Sequence, residues 1–129
     1  MSPHRKPELL VKSKVWLELN GLPVFGDGKA MILERIDRAG SLSAAAEQLG
    51  MSYRGLWGRL REMERRLGAT LVERRTGGRG GGAARLTPQG RDLLRRFRRF
   101  RRGINETVDA RFRKAFGPAS KFGHTPRAN

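Results

Sequence analysis

A serine, a tyrosine and an arginine stand side by side at the start of one predicted helix, where they could bind a polyanion. Ser52, Tyr53 and Arg54 place a hydroxyl, a phenol and a guanidinium in consecutive positions. Such groups can contact bases and phosphates when the N-terminal turns of a helix enter a major groove. Arg54 is the candidate for guanine readout, and Arg61 lies two turns further along and could face the groove with it. Trp57 is more typical of a packing residue than of a base contact, so it is a secondary candidate.

A second basic segment surrounds a glycine-rich loop at residues 77–82. The loop does not end in Lys-Ser or Lys-Thr and does not open a helix after a strand, which excludes a P-loop nucleotide site. Its glycines would let the main chain approach a DNA backbone or minor groove, whereas a flexible solvent loop is the simpler alternative. Short strands at residues 71–74 and 85–86 would make this segment a wing. The predicted DNA contacts here are Arg74, Arg75, Thr76, Arg79 and Arg85.

Catalytic chemistry finds little support in the sequence. The chain has no cysteine and two histidines, His4 and His124, both near its ends. The carboxylates are dispersed, and Glu62 and Glu64 fall on different faces of one helix, so no pair is arranged for general acid and base work. We therefore expect no enzyme activity, no bound metal and no cofactor.

The charge balance favours nucleic acid as the partner. Lys and Arg number 28 against 12 Asp and Glu, a formal net charge of +16 in 129 residues. A field of that sign and size attracts a polyanion, and the length predicts one folded domain. The sequence has no run of about 18 apolar residues that would predict a membrane span, and residues 1–8 lack the apolar stretch of a signal peptide. We expect a soluble, cytoplasmic protein that associates with the nucleoid and has no membrane partner.

An N-terminal hairpin is predicted before the helices. Residues 10–19 are rich in Val, Leu and Trp and indicate a strand, and residues 22–25 supply a returning strand. Asn20 and Gly21 between them form a dipeptide that accepts positive φ and favours a two-residue turn.

Three helices follow, and the last two form a helix-turn-helix. The first covers residues 29–39 with Asp27 as its N-cap, and the second is short, with Ser43 as its N-cap and Gly50 at its end. The third covers residues 52–67 and repeats apolar side chains at helical spacing. Two helices joined by a tight glycine-containing turn are typical of DNA-binding proteins, although an ordinary helical core is the alternative.

A long fourth helix is predicted after Pro88, with apolar residues recurring every three or four positions along about 28 residues. So long a stripe cannot be buried on a small domain alone, which indicates a homodimer formed through this helix. The domain prediction is a flexible N-terminus at 1–8, a winged helix-turn-helix at 9–87, a dimerisation helix at 88–116 and a disordered tail at 117–129. The predicted dimer contacts are Leu93, Phe97, Phe100, Ile104, Val108 and Phe112.

Several segments resemble the winged helix-turn-helix of ModE-type molybdate-responsive transcriptional regulators. They are residues 39–46 (AGSLSAAA), residues 49–57 (LGMSYRGLW) and the wing at residues 73–82 (ERRTGGRGGG), which is the most specific of the three. A looser pattern is shared with LysR-type regulators and comprises Met63, Glu64, Leu67, Gly68, Leu71, Val72 and Arg74. The resemblance covers about residues 9 to 116.

The resemblance implies a homodimeric transcription factor on a two-fold-related operator, with its recognition helix at residues 52–67. Full-length members of that family continue into a molybdate-binding region, whereas this chain ends at Asn129. The resemblance leaves three possibilities open. The protein could be a stand-alone regulator, a regulator of another response, or a component whose sensor is a separate protein.

The sequence thus predicts a mainly α fold with a small β-sheet, a winged helix-turn-helix with an N-terminal hairpin and a long C-terminal dimerisation helix. Its predicted function is sequence-specific binding of double-stranded DNA in transcription regulation. One alternative is a nucleoid-architectural protein that binds nucleic acid without sequence choice. Another is an interaction module whose long helix pairs with a different chain.

Overall fold

A computed structural model of the chain describes residues 7–75 and 82–117, which form four helices and two two-stranded antiparallel sheets. The mainly helical fold class is confirmed. The elements in chain order are β1 (Trp16–Leu19), β2 (Leu22–Gly26), α1 (Asp27–Ala39), α2 (Leu42–Leu49), α3 (Tyr53–Leu67), β3 (Val72–Arg75), β4 (Ala83–Leu86) and α4 (Pro88–Phe116). Most of the predicted flexible N-terminus and C-terminal tail lies outside the described residues.

The N-terminal hairpin forms around the predicted turn, where Asn20 and Gly21 have φ of 54° and 81°. Strand β1 is shorter than expected, because it begins at Trp16, which pairs with Gly26, the last residue of β2. The chain enters α1 directly after Gly26, so no strand remains to pair with residues 10–15. Phe25 is buried and carries the hairpin into the core.

The caps of α1 and α2 differ from the sequence prediction. Helix α1 begins at Asp27, which therefore lies in the first turn, and Gly26 takes the N-cap position. Helix α2 is capped by Ser41, whose hydroxyl accepts from the amide of Ala44 at 3.1 Å, rather than by Ser43. Burial of Leu42 in the core sets the start of α2 two residues earlier than a cap at Ser43 would.

Helices α2 and α3 form the predicted helix-turn-helix. Gly50 ends α2 with φ of 70°, and the amide of Met51 donates to the carbonyl of Ala46 at 2.9 Å. Ser52 caps α3 by accepting from the amide of Gly55 at 2.9 Å. The buried side of α3 carries the predicted apolar stripe, Leu56, Leu60 and Met63. The opposite side of α3 is thereby left at the surface.

The wing consists of β3 and β4, which pair from Val72 with Leu86 to Arg75 with Ala83. The amide of Ala84 donates to the carbonyl of Gly40 at 2.8 Å and joins β4 to the connection between α1 and α2. This backbone contact fixes the base of the wing against the helices.

Glu64 links the start of the wing to α3. One of its carboxylate oxygens accepts from the amides of Leu71 and Val72 at 2.8 and 3.1 Å. Thr87, beyond β4, donates its hydroxyl to the carbonyl of Thr70 at 2.7 Å and caps α4 by accepting from Gly90 at 3.0 Å. The connections at both ends of the wing are therefore held by hydrogen bonds.

Helix α4 is continuous over 29 residues, and its first turns belong to the core. Phe97 is 3% exposed and packs edge-on against Phe25, with ring centres 5.1 Å apart. Leu93 is half-buried against the same core. Phe97, which the sequence assigns to the dimer contact, is therefore used within the monomer, because periodicity identifies an apolar face without identifying what covers it.

The chain divides into two compact units. Residues 15–99 form the larger unit, and of the described residues, 7–14 and 100–117 belong to the smaller one. Within the smaller unit, Arg101 donates to the carbonyl of Ser13 at 2.8 Å and to Asn105 Oδ1 at 2.8 Å. The first turns of α4, up to Arg99, belong to the larger unit because Leu94 and Phe97 are core residues, and the dimerisation helix at 88–116 stays a prediction.

None of the helices in the described ranges is both long and apolar enough to cross a bilayer. The same residues contain no cluster of three or more His, Cys, Asp or Glu side chains that could hold a metal ion.

Candidate nucleic-acid interface

Tyr53 and Arg74 meet at the junction of α3 and the wing. The Nη1 group of Arg74, on β3, donates to the hydroxyl of Tyr53, the first residue of α3, at 2.9 Å. Tyr53 is 47% exposed and Arg74 is exposed as well, so both side chains remain accessible from outside. The contact joins the predicted recognition helix directly to the predicted wing.

Trp57 lies beside this pair and faces two guanidinium groups. The guanidinium carbon of Arg74 is 4.1 Å from the Trp57 ring centre, and that of Arg61 is 5.3 Å away. Both distances fall within the range of cation–π attraction. Trp57 is half-buried and packs against the core, so it offers a fixed surface to the two arginine side chains. Trp57 can therefore pack against the core, as its residue type suggests, and still belong to the predicted site.

Ser52 and Arg54 occupy the same end of α3 in different ways. The Ser52 hydroxyl is engaged as the helix cap, which leaves its own proton available to a further acceptor. Arg54 is exposed and, within the described part of the chain, its side chain has no ion-pair or hydrogen-bond partner. Arg54 is thus a cation at the surface at the N-terminal turn of α3, where groove contacts are made in helix-turn-helix proteins.

The wing carries the remaining predicted contacts. Arg75 is exposed at the end of β3, and Arg85 on β4 pairs with Glu73 at 2.8 Å. This exposed ion pair contributes little stability and lowers the net positive charge of one side of the wing. Thr76 and Arg79, also predicted contacts, lie outside the described residues.

A shallow groove runs beside α3, between its second half, β3 and the start of α4, with a volume of about 740 Å³. Trp57, Arg61, Arg65 and Arg74 line it together with Gln89. Its single acidic lining residue among those described, Glu64, is turned to the amides of Leu71 and Val72. The groove is therefore strongly basic and continues from the Tyr53 and Arg74 contact.

Glu34, an acidic residue of the larger unit, is paired with arginines of α1 and α4. Glu34 of α1 forms ion pairs with Arg98 and, at 3.1 Å, with Arg38. The hydrogen bond from Arg98, with further help from the nearby arginine charges, holds the pKa of Glu34 below its ordinary value despite its partial burial. This pair joins α4 to α1 and takes no part in the basic surface.

The structure brings together Tyr53, Trp57, Arg61 and Arg74, but the sequence did not reveal that Arg74 contacts Tyr53. The two residues are 21 positions apart and belong to different elements. Spacing along one helix could place Tyr53, Trp57 and Arg61 on one face, since they recur every four residues. No local pattern could place Arg74 among them.

Comparison with known proteins gives a consistent family assignment. Residues 29–91 match the model for the bacterial regulatory helix-turn-helix proteins of the lysR family. The molybdenum-pterin-binding protein MopB of Rhodobacter capsulatus is 37% identical over 85 residues, which are 66% of this chain and 32% of MopB. The transcriptional dual regulator ModE of Escherichia coli K12 is 40% identical over 72 residues, 55% of this chain and 28% of ModE. The chain thus spans about a third of the length of these relatives.

Solved structures agree on the fold. The CbnR DNA-binding domain in complex with DNA matches 68% of this chain and 95% of that domain, with a TM-score of 0.53 and 25% identity. A structure of CbnR, a LysR family transcriptional regulator, matches over 70% of this chain and 29% of the CbnR chain, with a TM-score of 0.52 and 26% identity. The wing and helix-turn-helix predicted from the sequence are therefore confirmed as a winged-helix DNA-binding fold.

Proposed function

Because residues 29–91 form a LysR-family helix-turn-helix domain and the chain fits a ModE-type N-terminal domain, we propose that this protein regulates transcription by binding specific sequences of double-stranded DNA. The observation that carries the proposal is the exposed end of α3. Tyr53 and Arg54 lie at the surface there, while Leu56 and Leu60 on the same helix are buried. A helix anchored on one side and polar on the other can enter a major groove without disturbing the core.

We assign different tasks to α3 and the wing. Arg54 reads a base edge, with guanine as the natural target of a guanidinium that can donate two parallel hydrogen bonds. Arg61 and the wing arginines Arg75 and Arg85 bind phosphates, which carry no sequence information but fix the register of the domain on the duplex. Arg79, with its glycine-rich neighbours, is proposed as a further backbone or minor-groove contact on the basis of sequence alone.

We further propose that the protein acts as a homodimer through the second half of α4. Phe100 is 46% exposed, and Ile104, Val108 and Phe112 are half-buried at helical spacing on the same helix. Apolar side chains on this helix gain by burial against a second copy. Two copies related by a two-fold axis would bind an operator of matching symmetry. Phe97 is excluded from this proposed interface because it is buried within the monomer, whereas Leu93 is half-buried like Ile104 and Val108 and stays in it.

The sequence resemblance alone supports three proposals for the response to an effector, namely a stand-alone regulator, a regulator of another response and a regulator whose sensor is a separate protein. Molybdenum is named for MopB and for several other relatives, and each of those proteins is about three times as long as the matched segment. Operator affinity of the purified chain, measured with and without molybdate, tests this part. An affinity that changes on adding molybdate would assign oxyanion sensing to the chain itself.

A second candidate function is sequence-independent binding in the nucleoid, which the net charge of +16 favours. Selection of bound duplexes from a random DNA pool at near-physiological salt separates the two. Enrichment of a two-fold-related motif supports the regulator. Tight, salt-sensitive binding without any enrichment would place the architectural function first.

A further inference from the structure

The hydrogen bond from Arg74 to Tyr53 determines which chemical group the tyrosine can present to DNA. A phenol hydroxyl has one proton to donate and two lone pairs to accept with. Arg74 Nη1 lies 2.9 Å from the Tyr53 oxygen and has no acceptor function, so the guanidinium must be the donor and the hydroxyl the acceptor. The Tyr53 proton therefore remains for an outside partner.

Trp57 keeps Arg74 in this position. The guanidinium of Arg74 stacks 4.1 Å from the centre of the Trp57 ring while it donates to Tyr53. Trp57 lies one helical turn after Tyr53 and packs against the core, so the ring and the phenol are carried by the same rigid helix. An arginine fixed at both a ring face and a hydroxyl loses most of its freedom to turn toward a phosphate.

We propose that Arg74 is a positioning residue that makes Tyr53 a hydrogen-bond donor, so that α3 selects a base presenting an acceptor in the major groove. Guanine N7 and O6, adenine N7 and thymine O4 are such acceptors, whereas cytosine presents the donor group of its amine, so the base that α3 selects against is cytosine. Donation by a cationic guanidinium also polarises the hydroxyl and strengthens its own donation. This inference rests on the proposed function, since it requires that the end of α3 enters the groove.

Arg75 provides a matched control for Arg74. It is the next residue on β3 and is exposed, but within the described ranges its side chain has no hydrogen-bond or ring partner. Loss of Arg75 removes one positive charge from the wing and leaves Tyr53 and Trp57 undisturbed. If Arg74 acts only through its charge, Arg74→Ala and Arg75→Ala should change DNA binding in the same way. If Arg74 positions Tyr53, only Arg74→Ala should reduce the preference for one base.

The experiment is selection from a random duplex pool with the full chain as wild type, Tyr53→Phe, Arg74→Ala, Arg74→Lys and Arg75→Ala. We expect Tyr53→Phe and Arg74→Ala to lose preference at the same operator position by roughly tenfold, the scale of one base contact. A double variant that carries both Tyr53→Phe and Arg74→Ala should lose no more preference than either single variant. Arg74→Lys should show the same loss of base preference as Arg74→Ala, because lysine keeps the charge but lacks the planar guanidinium. Arg75→Ala should weaken all duplexes equally and leave the motif unchanged.

Two results would overturn the inference while leaving the proposed function intact. In the first, Arg74→Ala weakens every duplex equally and Arg74→Lys restores binding, which would make Arg74 a phosphate contact. In the second, Tyr53→Phe and Arg74→Ala relax different positions and their effects add. A wild-type protein that enriches no motif would overturn the proposed function and this inference together. The melting temperature of each variant checks that the fold is retained. It should stay near the wild-type value, because Tyr53, Arg74 and Arg75 are all exposed.

Discussion

Gly90, in the first turn of α4, lies directly against the main chain of Leu71, just before β3. A Cβ atom at residue 90 would lie 3.1 Å from the carbonyl carbon of Leu71 and 3.2 Å from its Cα, and closer still to the carbonyl oxygen. The same carbonyl accepts from the amide of Thr87 at 2.9 Å, so it cannot move away freely. The start of α4 and the start of the wing are thus fitted together at a position that admits only glycine.

Gly90→Ala is expected to destabilise the protein. Alanine normally stabilises a helix relative to glycine by about 1 kcal/mol, but here the methyl group must displace a backbone, which costs about 1–3 kcal/mol in tightly packed sites. Gly103→Ala, in the same helix, is the matched control, because nothing lies within 4 Å of its Cβ position. It should stabilise the protein. Chemical denaturation of both variants checks the pair, and equal changes in the free energy of unfolding would contradict the packing argument.

Ser41→Ala should cost about 1 kcal/mol of stability, the usual contribution of an N-cap side chain. Its hydroxyl accepts from the amide of Ala44, whereas Ser43 is exposed inside α2. Ser43→Ala should therefore be neutral or slightly stabilising, since alanine is the better helix former. Thermal unfolding measures both. A larger loss for Ser43→Ala than for Ser41→Ala would restore the cap predicted from the sequence.

The ion pair between Glu34 and Arg98 predicts a pH-dependent contribution to stability. Arg98, by hydrogen bonding, lowers the pKa of Glu34 below its ordinary value of 4.5 in the folded state. The contribution is therefore complete above that ordinary value and is lost as pH falls through the lower folded pKa. At neutral pH the free energy of unfolding of wild type should exceed that of Glu34→Gln by less than about 1 kcal/mol, because the ion pair is partly solvated.

Unfolding measured from neutral pH down through the ordinary pKa of Glu34 checks this. The difference between wild type and Glu34→Gln should vanish at the acid end. Glu47→Gln is the control, since Glu47 is exposed and its side chain has no ion pair within the described residues. A difference that persists at low pH would show that the amide disturbs packing rather than charge.

Val108→Glu should convert the proposed homodimer to a monomer. A carboxylate on the apolar stripe would be buried without a partner in each copy, which is strongly unfavourable. Ala110→Glu places the same charge on an exposed position of the same helix and should leave the dimer intact. Sedimentation velocity distinguishes the two species. If wild type sediments as a monomer, or if both variants remain dimeric, the interface proposed for α4 is wrong.

Local signals in the sequence predicted much of the fold. The Asn20-Gly21 turn is specified by two residues that tolerate positive φ, and the buried stripe of α3 follows from apolar spacing alone. Limits of elements were harder to predict. Ser41 and Ser43 are both good caps, and burial of Leu42 decides between them.

Features that depend on distant parts of the chain were beyond the sequence. The stripe on α4 looks uniform, and only the approach of Phe25 shows that Phe97 belongs to the core. The candidate site likewise combines a residue that local sequence identifies with a contact that it does not. Tyr53 could be identified by its place at the start of α3, but its contact with Arg74 depends on the fold of the wing.

The measurement that tests the central claim most directly is the ratio of Kd values for a selected duplex and a scrambled duplex of equal composition, at about 150 mM salt. For wild type we predict preference for the selected duplex by at least about a thousandfold, as in other specific DNA-binding proteins. Arg54→Ala should reduce that preference by roughly tenfold or more, with a smaller effect on scrambled DNA. A wild-type ratio near one, or equal losses on both duplexes for Arg54→Ala, would contradict sequence-specific recognition by α3.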